Sequence, residues 1–469
     1  MRFAHFRLIC LWCLLSALSL ARCSSLATRK GFYEPITAEL QSGNYEAAVQ
    51  KIEAARESNK FTNKDRLLYY IDAGLAHFYA SHYELSNEKL SLAEDAAEEL
   101  FTKSISRAAA SLLLNDNLLE YAGEDYEILY TNLIKALTFR SLNQFDKAFV
   151  EIRRANLKLE LLEQKYAQAA HELQQGSPDG GEYVDISYDV KKVRFHNDAF
   201  ARYLSMHMYA ADGLMDDARI DYDMLRNAFA AQPHVYDFEM PDVQYSSPEK
   251  AIMSVVALAG LSPVKEALNL RIRTDKDLDL VQVLYDGPGR GDTEYGHFAL
   301  PVSEDYYFKF AIPVIGSRPS LISRVRVFVD GESIGELGLL EDVGKVAEET
   351  FEAKKSLIYI RSVARAIAKG LAAHKLKEKA DEKTENRLTR WLKKAAIDVG
   401  TDITENADLR CSRLLPGRVL VRDFEIDAGT YDITVEFLDP SGACLQSTIL
   451  STYRVKRGAF NLVQAVSVN

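Results

Sequence analysis

Between Tyr121 and Glu160, apolar residues recur at helical spacing twice, across one short break. The break is Leu142-Asn143-Gln144-Phe145-Asp146, and Gly123-Glu124-Asp125 precedes the first pattern. After the break, Phe145, Ala148, Phe149, Ile152 and Ala155 fall 3 and 4 apart, on one face of a helix. So short a break makes two helices run back along each other. An aromatic at the corner and small residues at the contact predict a helical hairpin of the tetratricopeptide type.

The same corner recurs. Ser42-Gly43-Asn44-Tyr45 leads to Ala48, Ser81-His82-Tyr83 to Ser86, and Gly213-Leu214-Met215 to Ala218. In each, a small or polar residue turns the chain, and Tyr45, Tyr83, Phe145 or Met215 seals the corner. A small residue three positions on lets two helices approach. The successive spacings, 38, 62 and 70, are irregular against a repeat of about 34 residues. This predicts degenerate repeats with extra helices between them, one of them from Ile105 to Glu120. A helical-repeat region is expected over 23–232.

Residues 233–248 contain three prolines and no helical period, which marks a linker. A short apolar helix is expected over Ala251–Ala259. The period then changes to two: Leu268, Leu270 and Ile272 alternate with polar residues, and Leu280–Tyr285, Tyr306–Val314 and Ser323–Val329 look like strands. Strands return at Arg418–Ile426, Thr430–Leu438, Leu445–Tyr453 and Phe460–Val468. The fold class expected is multidomain α+β. An α-helical tetratricopeptide-like array precedes an antiparallel β-sandwich over 249–469, with a helical insertion at 341–398.

The first 22 residues are read as a signal peptide. Arg2 and Arg7 precede an apolar run, Leu8–Leu20, too short to span a membrane permanently. The run ends Leu20-Ala21-Arg22-Cys23, similar to a bacterial lipoprotein cleavage site, with Arg22 where a small residue is usual. On that reading Cys23 carries lipid; the alternative is an ordinary secreted protein. The formal charge of the whole chain is -11, and loss of the leader removes three arginines and no acid. An acidic chain without a basic domain argues against nucleic-acid binding.

Cys411 and Cys444 are either a disulfide of an exported protein or two separate buried thiols. Gly331-Glu332-Ser333-Ile334-Gly335 spells a hydrolase motif, yet follows an Asp-Gly hairpin turn at Asp330. A nucleophile elbow needs a helix there, so Ser333 is a weak candidate. Arg290-Gly291-Asp292 spells an adhesion tripeptide in a loop of turn formers. His77 and His82, five apart, lack the spacing of a helical metal pair, and His196 and His207 are read as structural. Glu124-Asp125 and Glu341-Asp342 precede expected helices, where acids favour the first amides. Arg361, Arg365 and Lys369 sit four apart on one side of a basic amphipathic helix. Such a face meets either an anionic surface or the protein's own acids. No metal or cofactor site and no catalytic residue is expected.

Gly123-Glu124-Asp125-Tyr126-Glu127 with the hairpin after it resembles a family of largely uncharacterised bacterial envelope lipoproteins with tetratricopeptide-like N-terminal halves. Ser262-Pro263-Val264-Lys265, Leu339-Leu340-Glu341-Asp342-Val343 and Ala407-Asp408-Leu409-Arg410 leading to Leu415-Pro416 carry the resemblance further. Cys411 and Ser412 stand where that family often has Ser and Trp. The resemblance implies a lipid-anchored, non-enzymatic envelope protein, periplasmic or outer-membrane. The expected role is a scaffold that binds protein partners in a groove lined by helix faces. The alternatives are a surface adhesin for host molecules and, weakest, a hydrolase using Ser333.

Overall fold

The computed structural model describes residues 30–111, 119–174, 197–245, 247–278, 280–286, 293–299, 307–352 and 407–469, with isolated helical positions as far as 363. The chain is α+β, helical first and built of sheets afterwards. Helices α1 (Lys30–Gln41), α2 (Tyr45–Glu57), α3 (Arg66–Tyr79), α4 (Tyr83–Ser111), α5 (Asp125–Ser141), α6 (Phe145–Gln174), α7 (Ala199–Ala211) and α8 (Met215–Ala231) follow in order.

All four expected corners have one backbone form. The residue that turns has positive φ: Gly43 76°, Ser81 60°, Asn143 56° and Gly213 80°. Around it run the same two hydrogen bonds. At the first corner, Gly43 N donates to Leu40 O at 3.0 Å and Asn44 N to Glu39 O at 2.8 Å. At the third, Asn143 N donates to Arg140 O at 3.0 Å and Gln144 N to Phe139 O at 2.8 Å. This pairing satisfies the last carbonyls of one helix while the chain reverses. The next helix starts at once, with Ala48, Ser86, Ala148 and Ala218 donating back to the residue before it. Those four side chains are fully buried, which sets the close approach. Where an extra helix was expected at 105–120, α4 instead continues unbroken to Ser111, and residues 119–124 are not helical. No Gly or Pro stands between Tyr83 and Ser111 to end the helix.

The strands are β1 (Ile252–Leu261), β2 (Val264–Asp275), β3 (Leu280–Tyr285), β4 (Glu294–Ala299), β5 (Tyr307–Gly316), β6 (Arg324–Val329), β7 (Glu332–Glu336), β8 (Gly338–Asp342), β9 (Pro416–Glu425), β10 (Gly429–Leu438), β11 (Cys444–Val455) and β12 (Asn461–Ser467). Among the described residues they form three four-stranded sheets, ordered β12-β1-β9-β8, β11-β10-β6-β7 and β4-β3-β2-β5. Pairing is antiparallel except for β1 with β12, which run parallel with Met253 opposite Asn461. A helix begins at 343, directly after β8.

The short helix expected over Ala251–Ala259 is a strand. Every residue of β1 is buried, because both of its faces are covered. Met253, Val255, Ala257 and Ala259 join Val325, Val327, Ile433 and Val435 of the second sheet in one apolar cluster. Val256 and Leu258 join Tyr33, Leu68, Tyr130 and Tyr203 of the helices in another. A strand buried on both faces reads as a continuous apolar run with no period of two. Glu341 likewise lies within β8, one residue before its end at Asp342, and the helix starts only after it.

The helical and sheet regions thus share a core. Residues 233–248, expected as a linker, contribute Val235, Tyr236 and Val243 to it, all buried. A fully buried Val or Tyr of this kind contributes roughly 1.5–3 kcal/mol, so the connection is packed structure.

Candidate functional site at the seam of helices and sheets

The helices meet the sheets through a belt of buried charge. Glu124, just before α5, is 2% exposed and forms ion pairs with Lys265 at the start of β2 and with Lys354, the latter at 2.9 Å. One turn on, Glu127 is fully buried and accepts three hydrogen bonds. They come from Tyr121 Oη at 2.6 Å, Glu124 N at 2.9 Å and Ser412 N at 2.6 Å. On α3, Asp72 accepts from Tyr33 Oη at 2.5 Å and from Ser412 Oγ at 2.6 Å. Tyr79 Oη donates to Leu414 O at 2.5 Å. Arg410 forks onto Asp408 at 2.9 and 2.7 Å and reaches Asp65 at 3.2 Å. The segment 407–415, without regular structure, therefore seats its backbone and side chains against α3 and α5. It can do so because its own polar backbone groups find partners there.

Burial raises carboxyl pKa values, and nearby cations lower them. At Glu124 burial is outweighed by the Lys265 and Lys354 ammoniums, and the carboxyl lies below its usual range. At Glu127 the lowering by hydrogen bonds and by Lys265 is outweighed. Burial, then the Glu124 charge, push it up to about 7. Burial takes Asp72 up to about 6 against the hydrogen bonds from Ser412 and Tyr33. At Asp408 the Arg410 guanidinium overcomes burial and lowers the carboxyl. The Cys411 thiol, accepting from Lys265 N at 3.4 Å, is pushed by burial up to about 11.

Two further buried clusters flank the belt. Asp198 caps α7, accepting from Ala201 N at 2.7 Å, and lies beside Glu341 of β8. Burial, then the Asp198 charge, push Glu341 well above the carboxylate range, and burial takes Asp198 up to about 6. Glu341 accepts from Tyr130 Oη at 3.0 Å and from Phe200 N at 2.9 Å. Within the helices, Lys135 is buried between Glu94 at 2.8 Å and Glu151 at 3.0 Å.

One constellation has the residue types of a nucleophile triad. His207 Nε2 lies 3.2 Å from Asp423 Oδ1, and Ser254 Oγ is 3.4 Å from both ring nitrogens. Equal distances place the hydroxyl beside the ring edge, not in line with one nitrogen. All three side chains are buried, and the imidazole stacks on Phe460 at 4.8 Å. The serine hydroxyl therefore does not face solvent.

The sequence candidates are scattered. Tyr45, Tyr83, Phe145 and Met215 each begin the second helix of a hairpin; Tyr45 stacks on Tyr79 at 6.2 Å. Ser333 lies exposed on β7 opposite Phe328, after a turn with positive φ at Asp330 and Gly331. Strand follows it, so no nucleophile elbow is built. Cys411 and Cys444 are both free, one buried and one exposed. The disulfide is not formed, and the alternative of two buried thiols holds only for Cys411, because β11 presents Cys444 to solvent. Asp342 caps a helix, accepting from Gly344 N at 2.8 Å, and Glu124 stands at the N-cap of α5 in a capping box with Glu127, while Glu341 is buried in the seam. The signal segment with Cys23, His196, Arg290, Gly291 and Asp292, and Arg361, Arg365 and Lys369 lie outside the described residues.

Sequence reading singled out Glu124, Lys265, Glu341 and Arg410 only as parts of separate segments. The structure brings those segments together: Glu124 meets Lys265, Glu127 meets Ser412, and Glu341 meets Tyr130. Asp72 and Asp198 were missed. An acid within an otherwise apolar helical run, as in Tyr70-Ile71-Asp72-Ala73, was the available signal. No family model, curated protein or solved structure matches the chain.

Proposed function

We propose that this chain is a non-enzymatic, lipid-anchored protein of the bacterial envelope that serves as a protein-binding or assembly scaffold. On this reading the helices are a tetratricopeptide-like array and the two facing sheets a β-sandwich. The observation that carries it is the fourfold repetition of one helical corner, joined to a helical face already covered by the chain's own β region. Such arrays commonly bind partners in a groove. Here the faces of α3, α5 and α7 that would line it meet Ser412, Leu414, Glu341 and Asp423. The partner surface is then the outward side of the second helices. Leu85 and Leu92 of α4, Val150 and Leu157 of α6, and Ile220 and Met224 of α8 are exposed there. Apolar side chains grouped this way suit a protein partner. The anchor rests on Cys23 and the leader before it; no described helix is long and apolar enough to cross a membrane.

A photo-reactive side chain placed at Leu157, compared with one at Leu321 in the β region, tests this in intact cells. Discrete adducts from position 157 alone are expected. Adducts from 321 alone, or from neither, would contradict the scaffold face. Cys23→Ser is expected to release the protein from membranes, and retention would refute the lipid anchor.

A further inference from the structure

We propose that the outward faces of α4 and α6 join two copies of this chain, related by a two-fold axis that runs along the helices. The inference rests on the reading of these faces as a partner surface, and it names the partner. Both helices leave a corner of the same form, at Ser81 and at Asn143, and so run side by side in one direction. Contact fixes their relative level: Glu94 of α4 meets Arg154 of α6 at 3.1 Å and Lys158 at 3.0 Å. A residue of α4 is therefore level with the α6 residue 62 further on, as Tyr83 is with Phe145.

At these levels the two faces carry opposite charge. Along α4 the exposed residues run Leu85, Glu88, Leu92, Asp95, spaced 3 and 4 apart on one side of the helix. Along α6 they run Lys147, Val150, Arg153 and Arg154, Leu157. The four apolar side chains are 38 to 54% exposed, whereas Leu90 and Ile152 of the same helices are fully buried. Leu85, Leu92, Val150 and Leu157 thus take no part in the chain's own core. Glu88 is level with Val150 and stands between the levels of Lys147 and Arg153. Lys147 lies over the Phe139 ring at 5.6 Å and Arg153 over Phe149 at 4.3 Å. Among the described residues these two cations reach no acid of their own chain, and Glu88 and Asp95 reach no cation. Glu84 and Asp146 flank the stretch on the corner side, and Glu160 on the other.

A two-fold axis along the helices lays α4 of each copy on α6 of the other at unchanged level, so every contact forms twice. Glu88 and Asp95 then meet Lys147 and Arg153, and the four apolar side chains are covered between them. An axis across the helices would instead set the acids of α4 on those of the other α4. Like charges facing each other resist that arrangement. The charge pattern selects one orientation as well as one occupant.

Sedimentation equilibrium of the full chain tests this, with Glu88→Lys and Lys147→Glu each alone and mixed. Both residues are exposed, so neither change touches the core. The native chain is expected to dimerise. Either variant alone brings like charges together twice, and its dimer should be weaker by about 10-fold or more. An equimolar mixture should recover the native affinity, because each introduced charge then meets its opposite on the other copy. A monomeric native chain, or a mixture no tighter than either variant alone, would overturn the proposal. In the cross-linking from position 157, adducts of twice the chain's mass are expected. Adducts with other proteins only would overturn the second-copy proposal and leave the scaffold reading standing; no adducts would remove both.

Discussion

The backbone N–H of Ser412 donates to Glu127 Oε1 at 2.6 Å, joining residues 285 apart in the chain. That bond seats the segment before β9 against the start of α5, where the Glu124–Lys265 pair also lies. Apolar packing alone would tolerate several registers of sheet on helix. Buried pairs with one permitted geometry do not, which is the role best attested for buried polar groups.

Lys265→Met is expected to destabilise the fold by about 3–5 kcal/mol, because it leaves Glu124 buried with only Lys354 beside it. Adding Glu124→Leu removes the stranded charge and should restore most of the loss. Urea unfolding of the native, single and double variants measures both steps. An equal loss in the single and double variants would mean that packing, not charge, governs the position.

Glu127 and Asp72 give the fold a pH dependence. Their folded pKa values, about 7 and about 6, lie above the ordinary 4.5 and 3.8. A raised carboxyl stabilises fully below its unfolded pKa, and that contribution is lost as pH rises through the folded value. For Glu127 alone this amounts to about 3 kcal/mol. Glu94, held at about 2 by Lys158 and Lys135 against burial, and Glu124 act in the opposite sense, below about pH 4.5. Stability should therefore peak near about pH 5 and fall toward about pH 8. Glu127→Gln should flatten that fall in thermal melts, and an unchanged slope would show that Glu127 is already ionised.

The corners make a sharper local prediction. Ser81 holds φ at 60° and is exposed, so Ser81→Gly removes strain at no cost in contacts. A gain of about 1 kcal/mol is expected, and a loss of similar size for Gly213→Ala. Chemical denaturation of the two variants checks the signs.

Cys444 should react with a thiol reagent in the native protein, and Cys411 only after unfolding. Mass spectrometry after mild oxidation should find no peptide linking the two. A linked peptide would require β11 to leave its place in the sheet.

Much of this architecture was legible from local pattern. The corners at Gly43, Ser81, Asn143 and Gly213 are fixed by a few neighbouring residues, and Leu280–Tyr285 is a strand with the boundaries its alternation implied. β1 was illegible for a physical reason: Met253 faces one sheet and Val256 faces the helices, so no polar residue alternates to mark it. The seam was illegible because its pairs lie far apart in sequence. Nothing near Glu341 announces that Tyr130 and Phe200 will meet it.

The inner helical face is occupied by the chain's own β region, so that helices and sheets share one core. Native-state hydrogen exchange compares α5 with the strands β1 and β9 most directly. All three should open with one free energy, and Lys265→Met should lower all three together. Exchange in which β1 and β9 open while α5 stays protected, or in which Lys265→Met loosens only the sheets, would show that the helical face is free to bind elsewhere.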